Sequence, residues 1–291
     1  MKLMQTYGPL IDIAPELKEY LFISEKSFIL ASELAGSSSA NWGCKESRIL
    51  SLLMYHSLNT SLSVRLLTTF AQLNEGFALL RIRLEQLIIS SFLINSKKNI
   101  GFEPFFLDIN RTDYRYTEAV KNMDSSLYHQ LENIFPDKFT AAKLNAVFNE
   151  RKSDPSFDFE SGKLKKSWSN VNKFKMCTER DEAVDQNDLI QSIKLSRLYL
   201  SLYKPASVYI HCEPGILTEN FLACTDGYPS PRVALLLANL VNLAQIDLIQ
   251  NYEIVKFINR EKTQPLSDLY QSFSTAIKRD FSFLEEKISG K

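Results

Sequence analysis

Glycine and proline are scarce in this chain, at nine and ten among 291 residues. The prolines fall mostly between apolar stretches, which suits helices joined by defined turns better than strands joined by tight hairpins. Cysteine is scarcer still. Cys44, Cys177, Cys212 and Cys224 form neither a C-x-x-C pair nor a regular disulfide framework, and MKLMQTYGPLIDIAPEL lacks a charged leader followed by an apolar run, so a reducing cytoplasm is the expected compartment. The three histidines, His56, His129 and His211, are far apart and make no H-E-x-x-H or i, i+4 pair, so no metal and no cofactor is expected. Phosphate loops of the G-x-x-x-x-G-K-[ST] or G-x-G-x-x-G type are missing, as is the G-x-S-x-G elbow. Charge of one sign is also lacking: 34 Lys and Arg balance 34 Asp and Glu, so no chain-wide field draws in a polyanion or an anionic membrane. No run of ~18 residues is free of charge or amide. Residues 77–94 contain Arg81, Arg83 and Glu85, and residues 232–249 contain Asn239, Asn242, Gln245 and Asp247, so neither is expected to span a membrane.

What is present is a hydrophobic content of 45%, enough for a sizeable core. The fold expected is all-α: a multi-helix bundle of long antiparallel amphipathic helices in a single domain, 1–291, with a polar surface insert at 151–188. A first helix begins near Pro15 and runs to Gly36, with Leu17, Leu21, Ser24, Phe28 and Ala31 along one face. Residues 45–58 read as a short helix and 60–95 as a long one, whose stripe is Leu66, Phe70, Leu73, Phe77, Leu80, Leu84 and Leu87. Further helices are expected within 102–123 and 125–150, and one around Trp168 to Glu179 inside the polar insert. Another runs from about Asp188 to His211, bent near Pro205. Ser230-Pro231 reads as an N-cap with proline at the first helical position, opening a helix through about Arg260, and a last helix covers roughly 265–286.

Two groups of polar residues stand out. Arg81 and Glu85 are one turn apart on the stripe Ala78, Arg81, Glu85, Ile88 and Phe92, whereas Arg83, which shares its stripe with Gln86 and Ser90, reads as solvent-facing. A charge among apolar side chains costs several kcal/mol unless paired, so an interior Arg81 and Glu85 require each other or a third polar group. The other reading is a boundary position where both reach water. Across Pro205, helical spacing would align Tyr203, Ser207 and His211 as a column of phenol, hydroxyl and imidazole that suits such a pair, with His211 near a helix C-terminus where its cationic form is favoured. Cys212 adjoins His211, but helix neighbours point about 100° apart and do not pair as nucleophile and base. A basic and aromatic run places Lys163, Lys165, Lys166, Lys173 and Lys175 around Trp168 and Phe174, a mixture suited to phosphates and bases. Glu179, Asp181, Glu182, Asp185 and Asp188 follow and compensate it locally.

The combination GFALLRIRLE, then Trp168 in KKSWSNVNKF, then YLSLYKPASVYIH resembles a large bacterial family of helical proteins known only as a domain of unknown function. The resemblance spans about residues 45–255. Members share R-x-x-x-E on one helix and Y-x-x-x-S-x-x-x-H on a later one, which fall here on Arg81, Glu85, Tyr203, Ser207 and His211. It implies a helical cytoplasmic protein, sometimes encoded near mobile elements or phage-defence genes, and no reaction. A helical ribonuclease group uses arginine followed by four to six residues and a histidine. Here the nearest spacing, Arg48 to His56, has seven residues between. Two functions are therefore carried forward. One is a non-catalytic interaction or regulatory protein of a bacterial defence or stress system, whose five polar residues form a packing network, with a homo-oligomer or another protein as partner. The other is a phosphodiester hydrolase with His211 as acid or base and Arg81 on the phosphate, with Lys165, Lys166, Trp168 and Lys173 as a weaker nucleic-acid contact.

Overall fold

In the computed structural model, which describes residues 17–36, 44–95, 102, 105, 122, 124–134, 159–160, 163–164, 169, 171–203, 206–207 and 231–289, the protein is all-α. The elements are α1 (Leu17–Gly36), α2 (Lys45–Thr69), α3 (Leu73–Asn95), α4 (Ser125–Ile134), α5 (Lys173–Ala183), α6 (Leu195–Leu198) running into a π turn (Tyr199–Tyr203), α7 (Pro231–Ile258) and α8 (Gln264–Ser289). Two short strands, β1 (Phe159–Glu160) and β2 (Lys163–Leu164), pair antiparallel. The chain divides into two compact units, one of Met1–Lys97 with Lys173–Lys291 and the other of Lys98–Asn172. Within the second unit, the Asp124 carboxylate accepts from the backbone N–H groups of Ser126 and Leu127 at 2.9 and 3.0 Å, fixing the start of α4.

The long helix expected over 60–95 is two. The apolar spacing keeps its phase across Phe70, but the backbone does not. Phe70 is half exposed, Ala71 takes a left-handed φ of 58°, and the Gln72 N–H closes on the Leu67 carbonyl at 2.8 Å. This turn reverses the chain, so Arg83 faces Ser61 and Gln86 faces Thr60 across an antiparallel hairpin. Helix α7 then runs alongside α3 in the same direction. Its Asn239, Asp247, Gln250 and Glu253 meet Thr68, Arg83, Ser90 and Asn95 in turn. Helix α1 flanks α7 through Ser24 to Asp247 and Asn251 to Ser27, and α8 returns to the start of α1 through Tyr20 to Asp280.

The core matches the expected faces where it is apolar. Leu21, Phe28 and Ala31 of α1 are buried, as are Leu73, Phe77, Leu80, Leu84 and Leu87 of α3. The polar stretch expected as a surface insert through residue 188 is not one beyond Asn172. Helix α5 buries Met176, Cys177 and Arg180, because the Arg180 guanidinium is bound inside the first unit. It begins at Lys173, later than expected. The helix expected from Asp188 begins at Leu195, and Asp188 instead organises the turn before it, accepting from the N–H groups of Ile190 and Gln191 at 3.0 Å each. The stretch expected as helical in 102–123, apart from residues 102, 105 and 122, and the Ser230 cap lie outside the described residues.

Candidate functional site

Helix α3 sets two arginines on different faces. Arg81 and Glu85 point toward α5 and the π turn. Their side chains are 23% and 24% exposed, and the Arg81 Nε stands 3.6 Å from Glu85 Oε1. Tyr203 lies between them: its hydroxyl accepts from an Arg81 terminal nitrogen at 2.9 Å and donates to Glu85 Oε1 at 2.8 Å. The Lys173 ammonium binds the other Glu85 oxygen, Oε2. Three charged side chains and one phenol thus form a closed circuit. Burial raises the Tyr203 hydroxyl above the usual phenol range, Arg81 lowers it and Glu85 raises it, so the phenol keeps its proton and its role as donor.

Local structure explains how Tyr203 gets there. The Asp181 carboxylate caps α6, accepting from the Leu195 N–H at 2.8 Å and from the Ser196 N–H and hydroxyl at 3.0 and 2.7 Å. The helix then widens into the π turn, a form found mostly as single turns at special positions. Widening brings Tyr199 and Tyr203 face to face, with centroids 4.5 Å apart and planes 15° from parallel. Phe174 packs on Tyr199 at 5.6 Å, and the Arg81 guanidinium carbon lies 4.5 Å from the Tyr203 centroid. The stack therefore has a cation at one end and a ring from α5 at the other.

Of the residues singled out from sequence, Arg81, Glu85 and Tyr203 come together. Ser207 lies one turn on, but its hydroxyl donates to the Tyr203 carbonyl at 2.7 Å and so serves the backbone. His211 lies outside the described residues, as do Lys165, Lys166 and Trp168. Lys173, expected beside those lysines as a nucleic-acid contact, is instead the fourth member of the Glu85 circuit. His56 is exposed, and His129 is 71% exposed beside Glu132 at 3.6 Å. Among the described residues no three His, Cys, Asp or Glu side chains gather as metal ligands, and no helix is long and apolar enough to cross a membrane.

The solvent-facing reading of Arg83 is overturned. Arg83 is fully buried, its Nε 2.8 Å from Asp247 Oδ1 and 2.9 Å from the Ser61 hydroxyl. Ser61 and Ser24 donate to the two Asp247 oxygens at 2.7 and 2.6 Å. Burial raises the Asp247 carboxyl and lowers Arg83, and each pulls the other back toward its charged form. Arg65, also fully buried, stands 3.9 Å from Glu25. Further along α7, Glu253 binds Arg180, which also donates to the carbonyls of Gln191 and Ile193 at 3.0 and 2.7 Å. The signal in the sequence is the lone Asp247 in the apolar run of α7, which requires a cationic partner when buried; Arg83 of α3 is that partner.

No curated protein and no solved structure matches the chain. Residues 47–229 match one family along their whole extent, taking in Arg81, Glu85, Lys173 and Tyr203, and the chain therefore belongs to DUF5677, a family of unknown function.

Proposed function

We propose that this chain is a non-catalytic helical interaction or regulatory protein, acting in the cytoplasm within a bacterial defence or stress system, with a second copy of itself or another protein as partner. The circuit of Arg81, Glu85, Tyr203 and Lys173 supports this reading, because its members are engaged with one another rather than poised for a reactant. Glu85 accepts from Tyr203 on one oxygen and from Lys173 on the other, so both oxygens are held by partners within the cluster. In this reading the circuit ties α3 to α5 and holds the π turn in place, so that the shape of the surface around Tyr199 and the half-exposed Leu200 is what a partner meets. The test is Tyr203→Phe together with Glu85→Gln, followed by thermal melting and by amide exchange over 195–203. Lower melting with faster exchange is expected. Unchanged melting and exchange in a variant that has lost its cellular role overturns the architectural reading.

One observation favours a second reading, phosphodiester hydrolysis. Arg81 and Lys173 outnumber Glu85, so the cluster carries a net positive charge with about a quarter to a third of each cation exposed. In that reading Arg81 holds phosphate and His211 moves the proton. His211→Ala is then expected to abolish RNA cleavage with melting unchanged, and retained cleavage removes it.

A further inference from the structure

Beyond that reading, helix α1 turns one face to the bundle and the opposite one to solvent. On the inner face Leu21, Phe28 and Ala31 are buried, Ser24 donates to Asp247 of α7, and Tyr20 donates to Asp280 of α8. On the outer face Lys18, Phe22, Lys26, Ile29 and Glu33 are exposed, the two apolar side chains by 58% and 51%. At one residue per 100° these five fall within an arc of about 80°, so they form one stripe along the helix.

The stripe is complementary to itself when reversed. Lys18 and Glu33 lie equally far from the point midway between residues 25 and 26, and so do Phe22 and Ile29. A second α1 laid antiparallel, midpoint on midpoint, sets Lys18 against Glu33 and Phe22 against Ile29. Each contact then occurs twice, as a two-fold axis requires. A parallel second copy would set lysine on lysine and glutamate on glutamate.

The helix dipole points the same way. Lys18 stands in the first turn of α1 and Glu33 in the last, each at the end that carries a partial charge of its own sign, and no basic residue occupies the last turn. In the antiparallel pair, Glu33 of the second copy comes to the N-terminus and Lys18 of the second copy to the C-terminus, which offsets both placements. The Lys26 ammonium lies 5.4 Å from the Phe22 centroid. The two Lys26 side chains come near each other beside the axis, at the edge of the stripe where water screens them. One helix pair is also at the small end of interface sizes, so the association expected is reversible and in the micromolar range.

We infer that the outer face of α1 docks a second copy of this chain, antiparallel about a two-fold axis, through Lys18, Phe22, Ile29 and Glu33. The Arg81 circuit takes no part in this surface, and its own test, melting with exchange over 195–203, stands whatever α1 does.

The experiment is sedimentation equilibrium of the full chain over a concentration series, with melting of each variant as the check on the fold. A monomer–dimer equilibrium is expected. Phe22→Asp is expected to weaken it by about ten-fold or more. Lys18→Glu alone and Glu33→Lys alone are expected to do the same, since each sets like charges together twice. Both changes suit the dipole of their own helix, so neither is expected to lower melting of the monomer. Mixed in equal amounts, those two variants are expected to pair with each other, because lysine again meets glutamate at both contacts. Three results overturn the inference. A chain that stays monomeric throughout the series gives this face to a different partner. A dimer indifferent to all three substitutions has its interface elsewhere. Single variants that weaken the dimer but do not pair when mixed rule out the antiparallel arrangement.

Discussion

Arg81 and Arg83 stand two residues apart on α3, about 200° around its axis, and they solve the same problem differently. Arg81 is 23% exposed and shares Glu85 with Lys173 and Tyr203. Arg83 is fully buried, and its carboxylate comes from a helix more than 160 residues away in sequence. Water screens the first cluster and stands in for any member that is lost. It cannot reach the second, where losing a partner leaves a charge stranded in a low-dielectric interior. Similar side-chain chemistry is thus an adjustable latch on one face of α3 and a fixed bolt on the other.

The sharpest way to break this contrast is Asp247→Ala. It strips Arg83 and two serine hydroxyls of their acceptor and is expected to cost about 3–5 kcal/mol, on the order of ten degrees of melting temperature. Removing both charges as Arg83→Met with Asp247→Leu is expected to recover much of that loss, because neither charge is then left alone. A single variant that melts within a degree of the parent would show that the interior pair contributes little. The closeness of the same seam is tested by Gly76→Ala. An added Cβ would meet Asn239 Nδ2 at 2.8 Å and Thr68 Oγ1 at 3.2 Å, two atoms that are themselves hydrogen-bonded at 2.8 Å. Overpacking is expected to outweigh the better helix propensity of alanine, for a net loss of about 1–2 kcal/mol in a urea melt.

Asp188 sits between the two extremes, at 12% side-chain exposure, and accepts from Lys256 at 2.7 Å and Tyr252 at 2.6 Å. Burial pushes its carboxyl up, but the hydrogen bonds from Lys256, Tyr252 and the Gln191 N–H outweigh burial and hold it below the usual carboxylate range. A carboxyl depressed in the folded state contributes stability above its unfolded value of about 3.9 and loses it as pH falls through the folded value. Asp188→Asn is therefore expected to cost about 1–2 kcal/mol at neutral pH. The gap should close on acidification below about pH 4. A gap that persists at pH 2 assigns the loss to packing instead.

The apolar half of this fold was legible and the polar half was not. The spacing of Leu80, Leu84 and Leu87 places them in the core because burial of apolar surface needs no particular partner. Buried polar residues do need one, and it comes from elsewhere in the chain. Arg83, Gln86 and Ser90 look like a wet face until Ser61, Asp247 and Gln250 are set against them. Apolar Ile82, between Arg81 and Arg83, is by contrast 46% exposed. The turn at Ala71 was hidden for a related reason: the hydrophobic phase continues through it, and no glycine or proline marks it. In the candidate site, the one-turn spacing of Arg81 and Glu85 was visible and Tyr203 was a reasonable companion. Lys173 was not, since its place depends on α5 returning to the bundle after a long polar stretch.

The smallest expected effect gives the finest discrimination between the two faces of α3. Glu85→Gln keeps the shape of the side chain and can still accept from Tyr203, but it loses its attraction for Arg81 and Lys173. Partial exposure discounts that attraction, so a loss of about 0.5–1 kcal/mol is expected. Its dependence on salt is more telling than its size. Ions at 1 M shorten the screening length to about 3 Å, so the gap between Glu85→Gln and the parent should shrink as salt rises. The gap for Asp247→Ala should not, because ions do not enter where Arg83 lies. Parallel melts of the two variants across a salt series therefore measure how wet each cluster is. Equal salt slopes would mean that the Glu85 circuit is as sealed as the interior pair, and that the surface around the π turn is closed to any partner that needs to loosen it.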